Sequence, residues 1–286
     1  ARQLIERITV LRHSLFTKNL LERLPSPLLP GIWRDIVTDA PAVRHRFSAW
    51  VDNWSYWAAR KQTELSFLVA VVLFLYVFLK LVVARRTRRR TLRAEPPLPT
   101  FFERAISVSW VAPLRALPAV AASLLLYGGL DTLELLYNPW GRAAFGIVKG
   151  TLVFVTVTAL LYAVMAPRAP QWRLVSLADR PARRVARLLS AITAVYALDG
   201  ALTEVSRAFF VPLTLSVVQS FASSVAFASL LIGLLLTPFT PQTAIGSQLA
   251  VSRHEPRWLK VPLWIIAIGI VVAALLGYVA LARFAA

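Results

Sequence analysis

One apolar run, Leu65–Ala84, constrains the fold of this chain more than any other feature. Its 20 residues include a single charged side chain, Lys80. A helix of that length is about 30 Å long, which matches the hydrocarbon thickness of a bilayer. A basic block follows directly: Arg85, Arg86, Arg88, Arg89, Arg90 and Arg93. Because moving charges into hydrocarbon is costly, we predict a membrane span whose arginines stay at cytoplasmic lipid headgroups and fix its orientation.

The composition agrees with a membrane protein and excludes several other classes. Hydrophobic residues make up 57% of the 286, and the net charge is +18. A charge this high suggests nucleic acid in a soluble chain, but here most basic residues lie in short segments between apolar runs. We therefore expect no nucleic-acid partner. The absence of cysteine excludes disulfides and thiolate chemistry. The chain opens on Ala1 without signal-peptide features, so we expect it to be part of a longer protein.

Six apolar runs predict an all-α, polytopic membrane protein with about six transmembrane helices. The predicted spans cover about 65–84, 106–130, 143–166, 185–204, 211–236 and 261–282. They form a membrane domain, 64–286, which follows a helical region, 1–63. The run at 185–204 is the least apolar of the six, because Asp199 and Glu204 interrupt it.

The charges between the spans predict an orientation. The loops 85–104, 167–187 and 237–260 hold 7, 6 and 3 Lys or Arg residues, whereas 128–142 and 199–211 hold one each. This bias of sixteen to two places the first three loops in the cytoplasm. Region 1–63 would then be periplasmic, in the inner membrane of a bacterial cell.

The region before the first span has helical spacing and an aromatic stripe. Helical stretches are expected to begin near Gly31 and after Pro41. Trp50, Trp54 and Trp57 then recur at helical intervals. Indole rings lie well at headgroup depth, so the stripe fits an interfacial belt, and core packing is the alternative.

The second span carries two prolines and a charge. Pro113 and Pro118 lack backbone donors and should bend the helix, and Arg115 lies between them. An arginine at membrane depth is a candidate functional residue. Alternatively, it extends to the headgroups before the true span begins.

Small residues recur at helical intervals in three spans. Gly146 and Gly150 have the GxxxG spacing that permits close helix approach, with Lys149 between them. Two further stripes share this property: Ser216, Ser220, Ser224 and Ala228 in the fifth span, and Gly269, Ala273 and Gly277 in the sixth. We expect these residues to pack helices together. A pore lining is the alternative for the serines.

The segment before the fourth span is basic. We expect an amphipathic surface helix there, capped by Asp179, with Pro181 in its first turn. Three arginines, Arg183, Arg184 and Arg187, are predicted to anchor at lipid headgroups.

No motif points to catalysis, a cofactor or a metal. The histidines lie outside the predicted spans: His13, His45 and His254. No HExxH, P-loop, GxSxG or dinucleotide-binding pattern is present. Two carboxylate pairs lie at predicted outer span ends: Asp131 with Glu134, and Asp199 with Glu204. Such pairs bind a cation or relay protons in some membrane proteins, and more often are solvated helix ends. We expect no enzyme.

Three stretches resemble a known bacterial family. They are Leu15-Phe16, ERLPSPLLPGIWRD at Glu22–Asp35, and TPQTAIGSQLAVSRHEPRWLKVPLW at Thr240–Trp264. Together they resemble the amino-terminal extension of large MscS-like mechanosensitive channels of alphaproteobacterial type. The resemblance implies a periplasmic helical region and extra membrane helices ahead of a pore helix and a cytoplasmic β-rich domain.

The resemblance also implies a function. Such channels are homo-oligomeric rings, usually heptamers, that open under membrane tension and protect the cell against osmotic downshock. Ions would pass through the pore region, which the resemblance places after Ala286, so this chain would sense tension without conducting. Two other classes fit a polytopic chain: a secondary transporter or permease, which would need convergent polar groups within the membrane, and a membrane scaffold.

Overall fold

The computed structural model describes residues 30–92, 100–166, 170–174 and 178–237, and every regular element in them is helical. The elements are α1 (Pro30–Arg60), α2 (Gln62–Leu92), α3 (Phe101–Thr132), α4 (Trp140–Met165), a 3₁₀ turn (Pro170–Trp172), α5 (Asp179–Ala208) and α6 (Leu213–Leu235). Five of them, α2 to α6, are long and apolar enough to cross a membrane. The prediction of an all-helical chain with several possible membrane spans is therefore confirmed for these residues.

Several sequence predictions concern residues outside that part of the chain. They include the sixth span with Gly269, Ala273 and Gly277, the histidines His13 and His254, Arg93, and most of the three stretches that carry the resemblance.

The described residues belong to two compact units. Residues 45–210 contribute to one, and residues 30–44 with 211–235 contribute to the other. Within the first unit the helices pack in chain order, α2 on α3, α3 on α4 and α4 on α5, and the last contact is the most extensive. Short connections between consecutive helices favour this arrangement. Between α3 and α4, Val108 and Ala112 pack on Ala163 as a small apolar core.

The boundary between the first two helices lies at a different residue from the one predicted. A new helix was expected after Pro41, but α1 continues through it and ends at Arg60, where Lys61 forms a turn before α2. Proline deprives the carbonyl of Val37 of its helical donor. Residues 37, 38 and 40 to 42 are exposed, so water can satisfy that carbonyl.

The arginine block is helical. The sequence analysis placed Arg85 and Arg86 in a loop, whereas α2 continues to Leu92. Arginine is a strong helix former, and no glycine or proline interrupts the segment before Pro96. Arg85 and Arg86 are exposed, as a headgroup anchor requires. The anchoring role itself stays a prediction.

The expected surface helix and the fourth span are one helix of 30 residues, α5. Asp179 does not cap it, because the cap is Ala178, which makes no side-chain hydrogen bond, and Asp179 is the first helical residue. Its carboxylate instead binds Arg173. This charge-assisted hydrogen bond gives the carboxylate of Asp179 a partner without a capping role.

Candidate functional site

The most extensive contact between two helices of the described residues is that of α4 with α5, and the predicted GxxxG pair lies in it. A Cβ atom added at Gly150 would lie 2.7 Å from the carbonyl oxygen of Ala197 and 3.1 Å from the Cβ of Ala201. One added at Gly146 would overlap the Cβ of Glu204. Both glycines are buried. They therefore allow backbone contact between the two helices, which is how small residues pack helices in a membrane.

Small side chains continue this contact along both helices. On α4 the buried residues are Ala143, Gly146, Gly150, Ala159 and Ala163. On α5 they are Ala182, Val185, Ala186, Thr193, Ala197 and Ala208. Only the glycine spacing was noticed in the sequence, since alanines in an alanine-rich span give no separate signal. The α4–α5 pair is a close-packed unit with little room for adjustment.

A buried arginine connects the ends of that pair. Arg173, in the α4–α5 loop, is only 2% exposed. Its Nη2 donates to Asp179 Oδ1 at 2.9 Å, and its Nε donates to the carbonyl of Met165 at 3.0 Å. The first contact holds the start of α5, and the second satisfies a carbonyl in the last turn of α4. The carbonyl of Arg173 also accepts a 3.4 Å hydrogen bond from Arg104 Nη1, at the start of α3.

We call Arg173, Asp179 and the Met165 carbonyl the arginine clasp. In the sequence analysis Arg173 is one of the six basic residues of the loop 167–187. Nothing in the local sequence distinguishes Arg173 from the other arginines of this loop as the buried one. Its burial depends on which helix ends meet around it. The only earlier signal was Asp179, the single acidic residue between 167 and 198.

Aromatic rings pack where α1 meets the start of α4 and the end of α5. The Trp54 ring lies 5.6 Å from that of Trp140, which lies 5.1 Å edge-on from Phe209. Trp54 Nε1 donates to the carbonyl of Leu135 at 3.3 Å. Phe47 completes the cluster, 5.4 Å from Phe209. Trp54 thus packs within the protein, as the core-packing alternative proposed.

The other two tryptophans of the stripe are less enclosed. Trp50 is half-buried, and Trp57 is 45% exposed beside the guanidinium of Arg60. The depth of the stripe in a bilayer stays a prediction for all three residues.

The turn between α1 and α2 is tied to the α3–α4 loop. Lys61 Nζ donates to the carbonyl of Leu133 at 2.7 Å and lies 4.0 Å from Glu134 Oε2. Glu134 adopts a left-handed backbone conformation, with φ of 57°. Its carboxylate is largely exposed, and Asp131 is exposed as well. These carboxylates lie at a helix end, beside a cation of the chain.

The second carboxylate pair lies on α5. Glu204 is half-buried, packs on Gly146 and lies 3.8 Å from Arg207. Asp199 is half-buried too. In the described part of the chain, no three His, Asp or Glu side chains are grouped closely enough to hold a metal ion.

Helix α2 has two different sides. The side toward the bundle carries Leu and Val at heptad spacing, with reduced exposure: Leu65, Leu68, Val72, Leu75, Leu79 and Val83. Leu68 lies directly over Gly129 of α3. The opposite side carries Phe67 and Phe74, which are 71% and 72% exposed, and Phe78, which stacks on Phe74. In the most apolar stretch of α2 only 6% is buried, whereas 17 to 22% is buried in the corresponding stretches of α3 to α6. In a bilayer this surface would contact lipid.

The serine stripe of the fifth predicted span lies on α6. Ser220, Ser224 and Ala228 are buried, and Ser216 is half-buried. Ser224 Oγ donates to the carbonyl of Ser220 at 2.8 Å, so this hydroxyl is satisfied within its own helix. The choice between helix packing and a pore lining stays open.

Arg115 is exposed on α3, one turn beyond the buried Ala112. Both prolines of the second span, Pro113 and Pro118, lie inside α3, which runs from Phe101 to Thr132. A capping box formed by Thr100 and Glu103 fixes the start of this helix. Neither the functional nor the headgroup interpretation of Arg115 is decided by its exposure.

Taken together, the helix lengths and the small-residue contacts define the described part of the chain as all-helical, with several helices able to span a membrane. One family model matches, over residues 1–53: DUF3772, a protein of unknown function. The match covers the amino-terminal segment and ends before α2. No curated protein and no solved structure matches the chain.

Proposed function

We propose that this chain is the peripheral, tension-sensing membrane region of an MscS-like mechanosensitive channel in a bacterial inner membrane, with residues 1–63 on the periplasmic side. The resemblance described above suggests the family. The exposed phenylalanine side of α2 carries the proposal, because a tension sensor needs helix surface that lipid contacts directly. A conformation with a larger area in the membrane plane is favoured by tension, as a ligand favours the state that it binds better.

A sensor must also transmit what its lipid-facing helix experiences. α2 contacts α3 where Leu68 covers Gly129, and α3 in turn packs on α4. The glycine contact with α5 and the arginine clasp make α4 and α5 a stiff pair. A displacement of α2 would therefore move α3 and, through it, the α4–α5 pair as one rigid unit, because close-packed interfaces shift as a whole and do not deform gradually.

Stretch-activated current tests this proposal. We expect the native full-length protein that contains this chain to give such currents in patches of reconstituted liposomes. Replacing Phe74 and Phe78 with alanine should change the tension at half-maximal opening, because it removes apolar surface from the lipid-facing side. The control replaces two residues on the bundle side of α2, Val72→Ala and Leu79→Ala. It tests the effect of lost packing between helices instead of lost lipid contact. Absence of any stretch-activated current from the full-length protein would overturn the proposal, and substrate-dependent flux would favour a transporter.

The orientation gives a separate prediction. Single cysteines at Asn53 and Thr87, placed in this cysteine-free chain, should differ in reactivity toward an impermeant maleimide on intact spheroplasts. We expect position 53 to be labelled and position 87 to be protected until the membrane is permeabilised. The reverse pattern would contradict a periplasmic α1.

A further inference from the structure

The first turns of α5 carry a group of exposed arginines that have no ionic partner in the described residues. Arg180, Arg183, Arg184 and Arg187 are all exposed, whereas Ala182, Val185 and Ala186 on the other side of the helix are buried. We call the four arginines the α5 ridge. In the described part of the chain none of the four makes an ion pair.

The acidic residue nearest to the ridge in the sequence already has a partner. Asp179 is the single Asp or Glu between 167 and 198, and its Oδ1 lies 2.9 Å from the buried Nη2 of Arg173. The clasp thus engages this acidic residue with a charge outside the ridge. It also fixes the turn of helix on which the ridge is carried.

The arginines of the ridge do not stabilise their own helix. Like charges three and four residues apart repel, and cations are disfavoured near a helix amino terminus. Four arginines in this position raise the free energy of the isolated helix. An anion from outside the chain would relieve that repulsion.

Two of the side chains are already held in a suitable orientation. Arg183 Nε donates to the carbonyl of Asp179 at 3.3 Å, and Arg187 Nε donates to the carbonyl of Arg183 at 3.4 Å. Each bond uses Nε, so both terminal nitrogens of each guanidinium keep their N–H donors for a ligand. A pair of such nitrogens binds phosphate oxygens in bidentate geometry.

The position of the ridge favours a lipid headgroup over free phosphate as the source of the phosphate group. Directly after Arg187, residues 188–198 carry no charge, and α5 is one of the helices able to cross a membrane. Arg183 precedes Leu188 by five residues, which is about 7.5 Å along a helix. If α5 crosses a bilayer, this distance places the guanidinium groups at headgroup depth.

We propose that the α5 ridge is a binding site for the phosphate of anionic phospholipids, with Arg183 and Arg187 as bidentate ligands and Arg180 and Arg184 as flanking charges. The site distinguishes anionic from zwitterionic headgroups, because the four unpaired charges need net negative partners. This inference requires α5 to lie in a membrane. It does not depend on the chain belonging to a channel.

Lipid titration of the purified chain in nanodiscs tests the site. In phosphatidylcholine discs, added phosphatidylglycerol should bind with a measurable Kd, and Arg183→Gln with Arg187→Gln should weaken it by about 25-fold, since each arginine near an anionic surface contributes roughly fivefold. The matched control removes the same charge from an exposed pair on α1 that is not predicted to lie at headgroups, Arg44→Gln with Arg46→Gln, and should change this Kd by less than about threefold. Inorganic phosphate at the same concentration should not compete.

Each contrary result overturns the proposal. Equal weakening by both double variants would show diffuse charge attraction without a site at the ridge. Equal affinity for phosphatidylcholine and phosphatidylglycerol would exclude a site that selects anionic lipid, and competition by inorganic phosphate at the same concentration would show that the arginines recognise phosphate without the lipid. The substituted side chains are exposed, so unchanged helical circular dichroism is expected and separates loss of binding from loss of fold. None of these outcomes affects the current measurements that test the channel.

Discussion

Gly150→Leu is expected to separate α4 from α5 and to lower the apparent Tm of the purified chain. Even the first carbon of a new side chain would lie 2.7 Å from the Ala197 carbonyl oxygen. That atom belongs to the backbone and cannot rotate away. Overpacking of this kind typically costs about 1 to 3 kcal/mol, and leucine adds three further carbons to the clash. A thermal melt in detergent measures the effect.

A graded series of Gly→Ala substitutions makes this prediction specific. Gly150→Ala should destabilise the chain most, because it meets backbone. Gly129→Ala should destabilise it less, since the obstructing atoms are the mobile methyl ends of Leu68. Gly200→Ala and Gly128→Ala meet no atom within 4 Å, so they should be neutral or stabilise by up to about 1 kcal/mol through higher helix propensity. A melt in which all four variants behave alike would contradict the close-contact assignment.

The elements of this fold were predictable because each rests on local pattern. The apolar runs that become α2, α4 and α6 exceed the length of a bilayer-spanning helix, and their periodicity required no tertiary information. The helix boundaries were less predictable. The arginines after Ala84 favour a helical backbone as strongly as the leucines before it. The end of the apolar run therefore does not mark the end of the helix.

The contacts that join the helices were predictable only in part. Gly146 and Gly150 were recognised because close approach needs a particular residue type at a particular spacing. Arg173 was missed because its burial depends on how the Met165 carbonyl at the end of α4 and Asp179 at the start of α5 meet around it. No short motif encodes that arrangement. Trp54 was ambiguous for a related reason. An indole fits both a headgroup layer and an aromatic cluster, and only the position of Trp140 decides that it packs within the protein.

The arginine clasp gives the second large effect, and the size of the destabilisation depends on which partner is removed. Asp179→Asn leaves the guanidinium of Arg173 buried, 2% exposed, without its counter-charge. Breaking a fully buried pair in this way costs about 3 to 5 kcal/mol, and the exposure of Asp179 places this pair at or below the lower end of that range. Arg173→Met leaves a carboxylate that is 54% exposed and can be hydrated. It mainly deprives the Met165 carbonyl of a donor, worth about 1 to 3 kcal/mol.

We therefore expect Asp179→Asn to lower the apparent Tm more than Arg173→Met does, although Asp179 is the more exposed residue. The double variant should be more stable than the sum of the two losses predicts, because neither charge is then left alone. Arg207→Gln is the control: Arg207 lies 3.8 Å from Glu204 with its side chain 73% exposed, and such surface pairs contribute about 0 to 1 kcal/mol. Additive losses in the double variant, or a smaller loss for Asp179→Asn than for Arg207→Gln, would show that the clasp does not hold the α4–α5 junction together.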